Sequence, residues 1–431
     1  MAEPRKVPDK TGFNLDYVYN IIGSDPPAGL KNCLNYYVDP QYFDPFHANW
    51  NGTTKVNNTL SCWKNFGWDA QLGTYTGTSD PGTASPVQIT AIGGKKNERQ
   101  FFIGLKTGRL IAYQLGSSAG SLERYTSYYE LPDDNITGIH VVSQSLIFVT
   151  TFDEANDSET LYSFSWTWNG GFVLRDSINY VISSYGWKWK SGLTSDNNKF
   201  LFVDAHFNTS YCGVLTYQFD SSTGALTYKS TKQFTGGPTI RSVYANGFVV
   251  VGVDSAPNYL NSCSVNQTTG ALSVEYSELG NLYLTKGAIP VDENRNLTEC
   301  LIYSMELTNM KIYQVADNGL LTLMGTKTVT DTYGAVTADF DPFSKAIVTI
   351  GNIHIKSYRL LQLYNTGTPV DYNPTGYDLN LVTDKSYSPT GQDNDQRVHI
   401  INYYSDTPYA IVSIWTDSIS DESRIHAIPL T

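Results

Sequence analysis

Hydrophobic and polar positions alternate along most of this chain in short runs, and the runs come in pairs. In residues 213–234 (GVLTYQFDSSTGALTYKSTKQF) an apolar and aromatic stretch ends at Asp220 and turns through Ser221, Ser222, Thr223 and Gly224. It resumes as an alternating strand from Ala225. Two such runs joined by Asp, Ser and Gly predict an antiparallel hairpin, with Gly224 supplying the positive φ that the turn needs. The device recurs at 110–131, 263–279 and 312–329, with weaker copies at 161–178 and 356–379.

Six anchor residues mark the copies. Tyr113, Tyr162, Tyr217, Cys263, Tyr313 and Tyr358 are 49, 55, 46, 50 and 45 residues apart. A period of about 40–50 residues built of strands and turns predicts a β-propeller with four strands per blade. The expected fold is therefore all-β, a seven-bladed β-propeller over residues 87–431 with an irregular, aromatic-rich extension over residues 1–86. Blades are expected from residues 87, 136, 192, 240, 285, 334 and 397, with a polar loop at 383–396 interrupting the period. The seventh blade has only three strands before the chain ends at Thr431, so another strand must pair with its open edge. Residues 33–38 (CLNYYV) are the expected closing strand. The extension holds Trp50, Trp63, Phe66 and Trp68, too aromatic for a plain linker, and is expected to pack on the ring or to dock on a partner.

Composition agrees with an aromatic-packed all-β protein, since aromatics reach 13% and charged residues only 16%. A net charge of −12 argues against nucleic acid or an anionic membrane as the main partner. Five scattered cysteines without C-x-x-C spacing suit free thiols in a reduced setting, not a disulfide framework or zinc site. The first residues show no signal-peptide core and no run is long enough to span a membrane, so a cytoplasmic or virion location is expected. The seven N-x-S/T sequences read as by-products of an Asn- and Thr-rich surface.

A second repeat opens the blades: GLTSDNNKFLFV at 192–203, SVYANGFVVV at 242–251, AIPVDENRNLTECLIY at 288–303 and ADFDPFSKAIVTI at 338–350. Together with the hairpins, it resembles the seven-bladed lactonase-type propellers, the group that includes 6-phosphogluconolactonase and muconate-lactonizing enzymes. The resemblance covers residues 87–360. It implies a substrate carboxylate or phosphate held by Arg and His at the top of the channel. GGPTIRSV at 236–243 is similar to the group's G-x-G-P-R-H stretch, with Arg241 matching the Arg, Ser242 standing where the His would be, and two residues intruding after Pro238. No His-Pro signature compensates.

The candidate catalytic residues are His140 and Arg241 on innermost strands, with Asp204 and His206 on the same face. A recurrent polar position follows the second strand of each blade: Asp153, Asp204, Asp254, Glu306, Asn352 and Asp417. These could ring one face and bind a divalent cation or a basic partner group, or simply be turn formers. No other cofactor is implied. The pairs Trp166/Trp168 and Trp187/Trp189 each project from one side of a strand, as a sugar-stacking platform or as inter-blade packing. Three functions follow: a non-catalytic structural or protein-interaction module in a larger assembly, such as a virion or phage tail; a lactonase acting on a sugar-acid lactone; and a carbohydrate-binding propeller. The degraded Arg-His stretch and the aromatic extension favour the first, with Trp50, Trp63 and Trp68 as docking residues.

Overall fold

The computed structural model describes Leu72, residues 77–79 and, with gaps in the connecting loops, residues 88–430. The described residues hold twenty-eight strands and no helix, and the strands form seven four-stranded antiparallel sheets. β1 (Gly77–Ser79) stands apart in sequence. Blade 1 is β2 (Ile89–Gly94), β3 (Gln100–Leu105), β4 (Arg109–Leu115) and β5 (Leu122–Glu130). Blade 2 is β6 (Asn135–Ser143), β7 (Leu146–Asp153), β8 (Ser158–Thr167) and β9 (Gly171–Val181). Blade 3 is β10 (Leu193–Ser195), β11 (Phe200–Asn208), β12 (Tyr211–Phe219) and β13 (Leu226–Thr235). Blade 4 is β14 (Ile240–Ala245), β15 (Phe248–Val253), β16 (Tyr259–Val265) and β17 (Leu272–Leu279). Blade 5 is β18 (Tyr283–Pro290), β19 (Leu297–Met305), β20 (Asn309–Val315) and β21 (Leu321–Thr328). Blade 6 is β22 (Ala335–Asp341), β23 (Ala346–Gly351), β24 (His354–Leu363) and β25 (Gly376–Ser386). Blade 7 is β26 (Arg397–Ile401), β27 (Tyr409–Asp417), β28 (Glu422–Pro429) and, outermost, β1. First strands touch in a closed cycle, β2 to β6, β10, β14, β18, β22, β26 and back to β2. That cycle is the channel wall of a seven-bladed propeller.

The open edge of blade 7 is covered by β1, which pairs Gly77 with Ala427 and Ser79 with Ile425. Closure thus falls to residues 77–79; the expected strand at 33–38 lies outside the described residues, and the ring reaches back before residue 87. β25 runs to Ser386, so blade 6 extends three residues past the start of the expected loop at 383. The core is divided by seam, because period-2 alternation sends successive side chains to opposite neighbours. Seven apolar clusters result, one at each contact between successive blades. In β11, Leu201, Val203 and Ala205 join the blade 2–3 cluster, while Phe200 and Phe202 join the blade 3–4 cluster. Trp166 stacks edge-on against Phe102 of blade 1 and against Trp168, which makes this pair seam packing. Trp187 and Trp189 lie outside the described residues.

Two local features recur. The third and fourth strands slip register at Ile111/Tyr113, Ser163/Phe164, Thr216/Tyr217, Ser262/Cys263, Ile312/Tyr313 and Ser357/Tyr358. Each slip sits at the anchor residue, and blade 2 uses Phe164 where the spacing pointed to Tyr162. Such a bulge bends the outer strand and sharpens its twist, as a wedge-shaped blade requires. The second feature is the turn. Asp220 Oδ1 accepts the N–H groups of Ser222 and Thr223, and Asn266 Oδ1 those of Thr268 and Thr269. Gly224, Gly270 and Gly319 end these hairpins at φ of 77, 71 and 84°. Each also presses on the preceding blade. A Cβ would lie 2.7 Å from Arg175 Cβ at Gly224, 2.9 Å from Thr216 Cγ2 at Gly270 and 2.5 Å from Phe248 Cε1 at Gly319.

Gly247 separates the two demands on these glycines, since it has φ of 86° with nothing within 4 Å. Gly247→Ala is expected to cost about 1 kcal/mol through the backbone alone. Gly319→Ala adds overlap with Phe248, roughly 1–3 kcal/mol more. At about 2–4 °C per kcal/mol, thermal melts should show Gly319→Ala falling at least twice as far; equal shifts would remove the packing role.

Candidate functional site

The alternation that fills the blade 3–4 seam with Phe200 and Phe202 places Asp204 and His206 on the same side of β11. Both are buried. Opposite them stands Ser242 on β14, whose N–H donates to Asp204 Oδ2 at 3.1 Å and whose hydroxyl donates to Oδ1 at 2.5 Å. Gly192, whose carbonyl accepts the Asp204 N–H at 3.0 Å, leaves room for the carboxylate: a Cβ there would lie 1.9 Å from Oδ2. Burial pushes Asp204 up to about 6, against the nearby Arg241 charge and the Ser242 hydrogen bonds. Burial also pushes His206 down to about 4, and Arg241 adds to that shift. Arg241 donates to the Ile240 carbonyl at 2.9 Å. Asp204, His206 and Arg241 are therefore brought together.

His140 is not part of that group. Its Nε2 lies 2.8 Å from Ser195 Oγ at the blade 2–3 seam. Leu201 pairs with Ser195 and lies three positions before Asp204 on β11, about 10 Å along a strand. Ser195 is fully buried; its hydroxyl accepts the Asn197 N–H and donates to Asn197 Oδ1, both at 3.1 Å. This Ser–His contact ties a turn and exposes no nucleophile.

The recurrent acidic position does not resolve into one level of the ring. Asp153 ends β7 and closes its own turn, accepting the N–H groups of Ala155 and Asn156. Asp204 is the fifth of nine residues in β11, so the two are not equivalent. Asp417 ends β27. Asp254, Glu306 and Asn352 lie outside the described residues, as do Trp50, Trp63 and Trp68. Among the described residues no three His, Cys, Asp or Glu side chains converge as metal ligands. Cys212, Cys263 and Cys300 are buried and outside any disulfide. No described helix is long and apolar enough to cross a membrane.

Two polar groupings were not read from the sequence. In blade 2, Glu159 is buried and accepts the Tyr180 hydroxyl at 2.5 Å. Burial raises Tyr180 well above its ordinary value, and the Glu159 and Asp204 charges reinforce this. A lone Glu in the apolar run of β8 was the available signal. The second grouping joins blades 6, 7 and 1. Asp339 on β22 accepts Lys96 Nζ at 2.6 Å and the Ile400 N–H at 2.7 Å, with His399 Nδ1 at 3.4 Å. Burial alone would raise Asp339; the Lys96 charge and His399 outweigh it and hold the carboxyl well below the usual range. His399 Nε2 is buried with no hydrogen-bond partner among the described residues, and a Cβ on Gly94 would lie 2.7 Å from it.

A candidate 6-phosphogluconolactonase from Bacteroides fragilis superposes with a TM-score of 0.50 at 10% identity, over 74% of this chain and 96% of that one. What the two share is the β-propeller fold. A second candidate 6-phosphogluconolactonase, from Bacteroides uniformis, matches at TM-score 0.49 and 10% identity, over 69% and 88% of the two chains. Sqt1 of Saccharomyces cerevisiae matches at TM-score 0.49 and 10% identity, over 83% and 100%. No protein-family model matches the chain, and no curated protein is similar to it in sequence. At such identities the likeness concerns fold alone.

The opposed protonation of the two buried groups has a measurable consequence. Asp204 is raised, so its stabilisation is full below about pH 4 and is lost as pH rises to about 6. His206 is lowered, so its contribution is full above about pH 6.5 and is lost as pH falls towards 4. Asp204→Asn should leave His206 unopposed and steepen the fall of Tm on acidification from pH 6.5 to 4, while His206→Gln should flatten it. Parallel curves for all three proteins would exclude these states. At the other grouping, Lys96→Met and Asp339→Asn should couple by roughly 0.5–3 kcal/mol in a double-mutant cycle; additive losses would show that the pair does not interact in solution.

Proposed function

We propose that this protein is a non-catalytic propeller that acts as a structural and protein-interaction module within a larger assembly. The observation supporting this is the state of Asp204. Both of its oxygens are taken by Ser242, the residue standing where the resembling enzymes would have a histidine, and the carboxylate is fully buried. A general base must reach its substrate proton and an anion-binding site must keep donors free for the ligand. Here Ser242 is committed to its neighbour, and His206 is held neutral by burial beside Arg241. Trp166 is likewise committed to the blade 1–2 seam, which weakens the carbohydrate-stacking reading.

The second reading, hydrolysis of a sugar-acid lactone, is favoured by Arg241, a cation beside the channel-lining strands of the same fold. Losing one stabilising donor at an acyl-transfer site costs roughly 10²–10³ in rate. Purified protein assayed against 6-phosphogluconolactone and muconolactone is expected to give no turnover above background. Arg241→Ala should leave recovery of the protein partner from the native source unchanged. Robust hydrolysis abolished by Arg241→Ala would overturn the proposal.

A further inference from the structure

Among the described residues, two other than glycine hold a left-handed backbone, Asn197 at φ of 59° and Asn246 at 47°. The second is followed by Gly247 at φ of 86°, and the two form the turn between Ala245 of β14 and Phe248 of β15. A two-residue hairpin needs positive φ at both positions, and Asn–Gly supplies it at least cost. This turn is also docked on the next blade. Asn246 Nδ2 donates to the Val315 carbonyl at 2.9 Å and to Asp317 Oδ1 at 3.1 Å. The Phe248 ring fills the space beside Gly319 of the same blade 5 hairpin. An ionised aspartate at position 246 could make neither bond, since it would set an acceptor against two acceptors.

The same turn carries the elements of a self-modification. An asparagine carboxamide is open to attack by the backbone nitrogen of the next residue when that nitrogen is free and uncrowded. Gly247 N–H makes no hydrogen bond among the described residues, and a Cβ on Gly247 would meet nothing within 4 Å. Asn197 is the internal contrast. The N–H that follows it belongs to Asn198, which carries a side chain, and is held by Asp196 Oδ1 at 3.0 Å. We infer that Asn246 is a site of spontaneous deamidation and that its conversion releases the contact between blades 4 and 5. Gly247 N gives up its proton and bonds to Asn246 Cγ, the Cγ–Nδ2 bond breaks, and ammonia leaves carrying that proton. Gly247 is exposed, so water reaches the resulting succinimide and opens it to aspartate or to isoaspartate. Either product replaces the donor that faces Val315 and Asp317 with a carboxylate, which also repels that of Asp317. Isoaspartate in addition inserts a methylene into the main chain of a turn whose register has room for two residues.

The test ages the full chain at mildly alkaline pH and physiological temperature, with samples withdrawn over weeks. Peptide mapping by mass spectrometry is expected to show exchange of NH for O at Asn246 and far less at Asn197. Methylation by an isoaspartyl methyltransferase should mark the isoaspartate fraction at position 246. Gly247→Ala, which crowds the attacking nitrogen, should slow the conversion several-fold. Thermal melts read the second half of the inference: aged protein should melt below fresh protein. Asn246→Asp should melt below Asn246→Ala, and adding Asp317→Asn should close most of that gap. Asn246 that stays intact, or converts no faster than Asn197, would overturn the proposal. So would fully converted protein that melts with the fresh protein, a comparison that holds even where Asn246→Asp does not fold.

Discussion

The close approach of each hairpin turn to the blade before it is the constraint on which the rest of the ring depends. At Gly224, Gly270 and Gly319 a side chain is excluded twice, by the left-handed backbone and by a neighbouring side chain where the Cβ would stand. Ser163 Oγ lies 2.8 Å from the missing Cβ of Gly224 and Thr216 Cγ2 lies 2.9 Å from that of Gly270. Ser163 and Thr216 are themselves the residues where the third strand slips register. The bulge that bends one blade thus provides the surface on which the next blade's turn rests. Side-chain to backbone hydrogen bonds cross the same seams, as when Ser230 Oγ of blade 3 donates to the Gly270 carbonyl of blade 4 at 2.9 Å. A local rule repeated along the chain generates a closed ring because each repeat is shaped by its predecessor.

Polar groups at the seams follow from the same geometry. Alternation sends every second side chain of a strand into a seam, so a carboxylate at such a position is buried among apolar residues and must find its partners across it. Asp204 finds Ser242, Thr194 accepts the Tyr244 N–H at 3.0 Å, and Asp339 gathers Ile400, His399 and Lys96. These contacts fix the angle between blades with a precision that apolar packing alone lacks. They also occupy both carboxylate oxygens of Asp204, one of the residues that suggest an enzyme in the sequence.

What the sequence disclosed divides along contact range. The hairpin at residues 213–234 was legible because its hydrogen bonds, from Asp220 to Ser222 and Thr223, close within a few residues. The blade count was legible because that local signal recurs. Asp204 and Ser242 are 38 residues apart, Asp339 and Ile400 61, and Lys96 and Asp339 243. No spacing rule foresees such pairs; they exist only once the blades have packed against one another. Asp153 and Asp204 stand at different heights for a related reason, since the polar residue that closes an apolar run does not mark a fixed height along the channel. The closing strand was sought at residues 33–38 for its aromatic alternation, whereas three residues sufficed on an edge bordered by Leu72 and Leu430.

Departures from the repeat are informative because the repeat predicts the alternative. Lys96, Asp339 and His399 tie blade 1 to blades 6 and 7, where β1 must join two distant parts of the chain. At every other seam the successive blades are joined by continuous chain, so a weak contact still re-forms quickly. At this seam the linking strand is separated from blade 7 by most of the sequence, and the entropy of bringing them together is larger. A half-buried blade 6 carboxylate engaged by blades 1 and 7 and a short outer strand are complementary answers to that cost, one at the channel and one at the rim. The Asp204–Ser242 contact lies at a seam with continuous chain and answers no such need. It is therefore the site where substitution would reveal whether the polar interior of this propeller was shaped by folding alone.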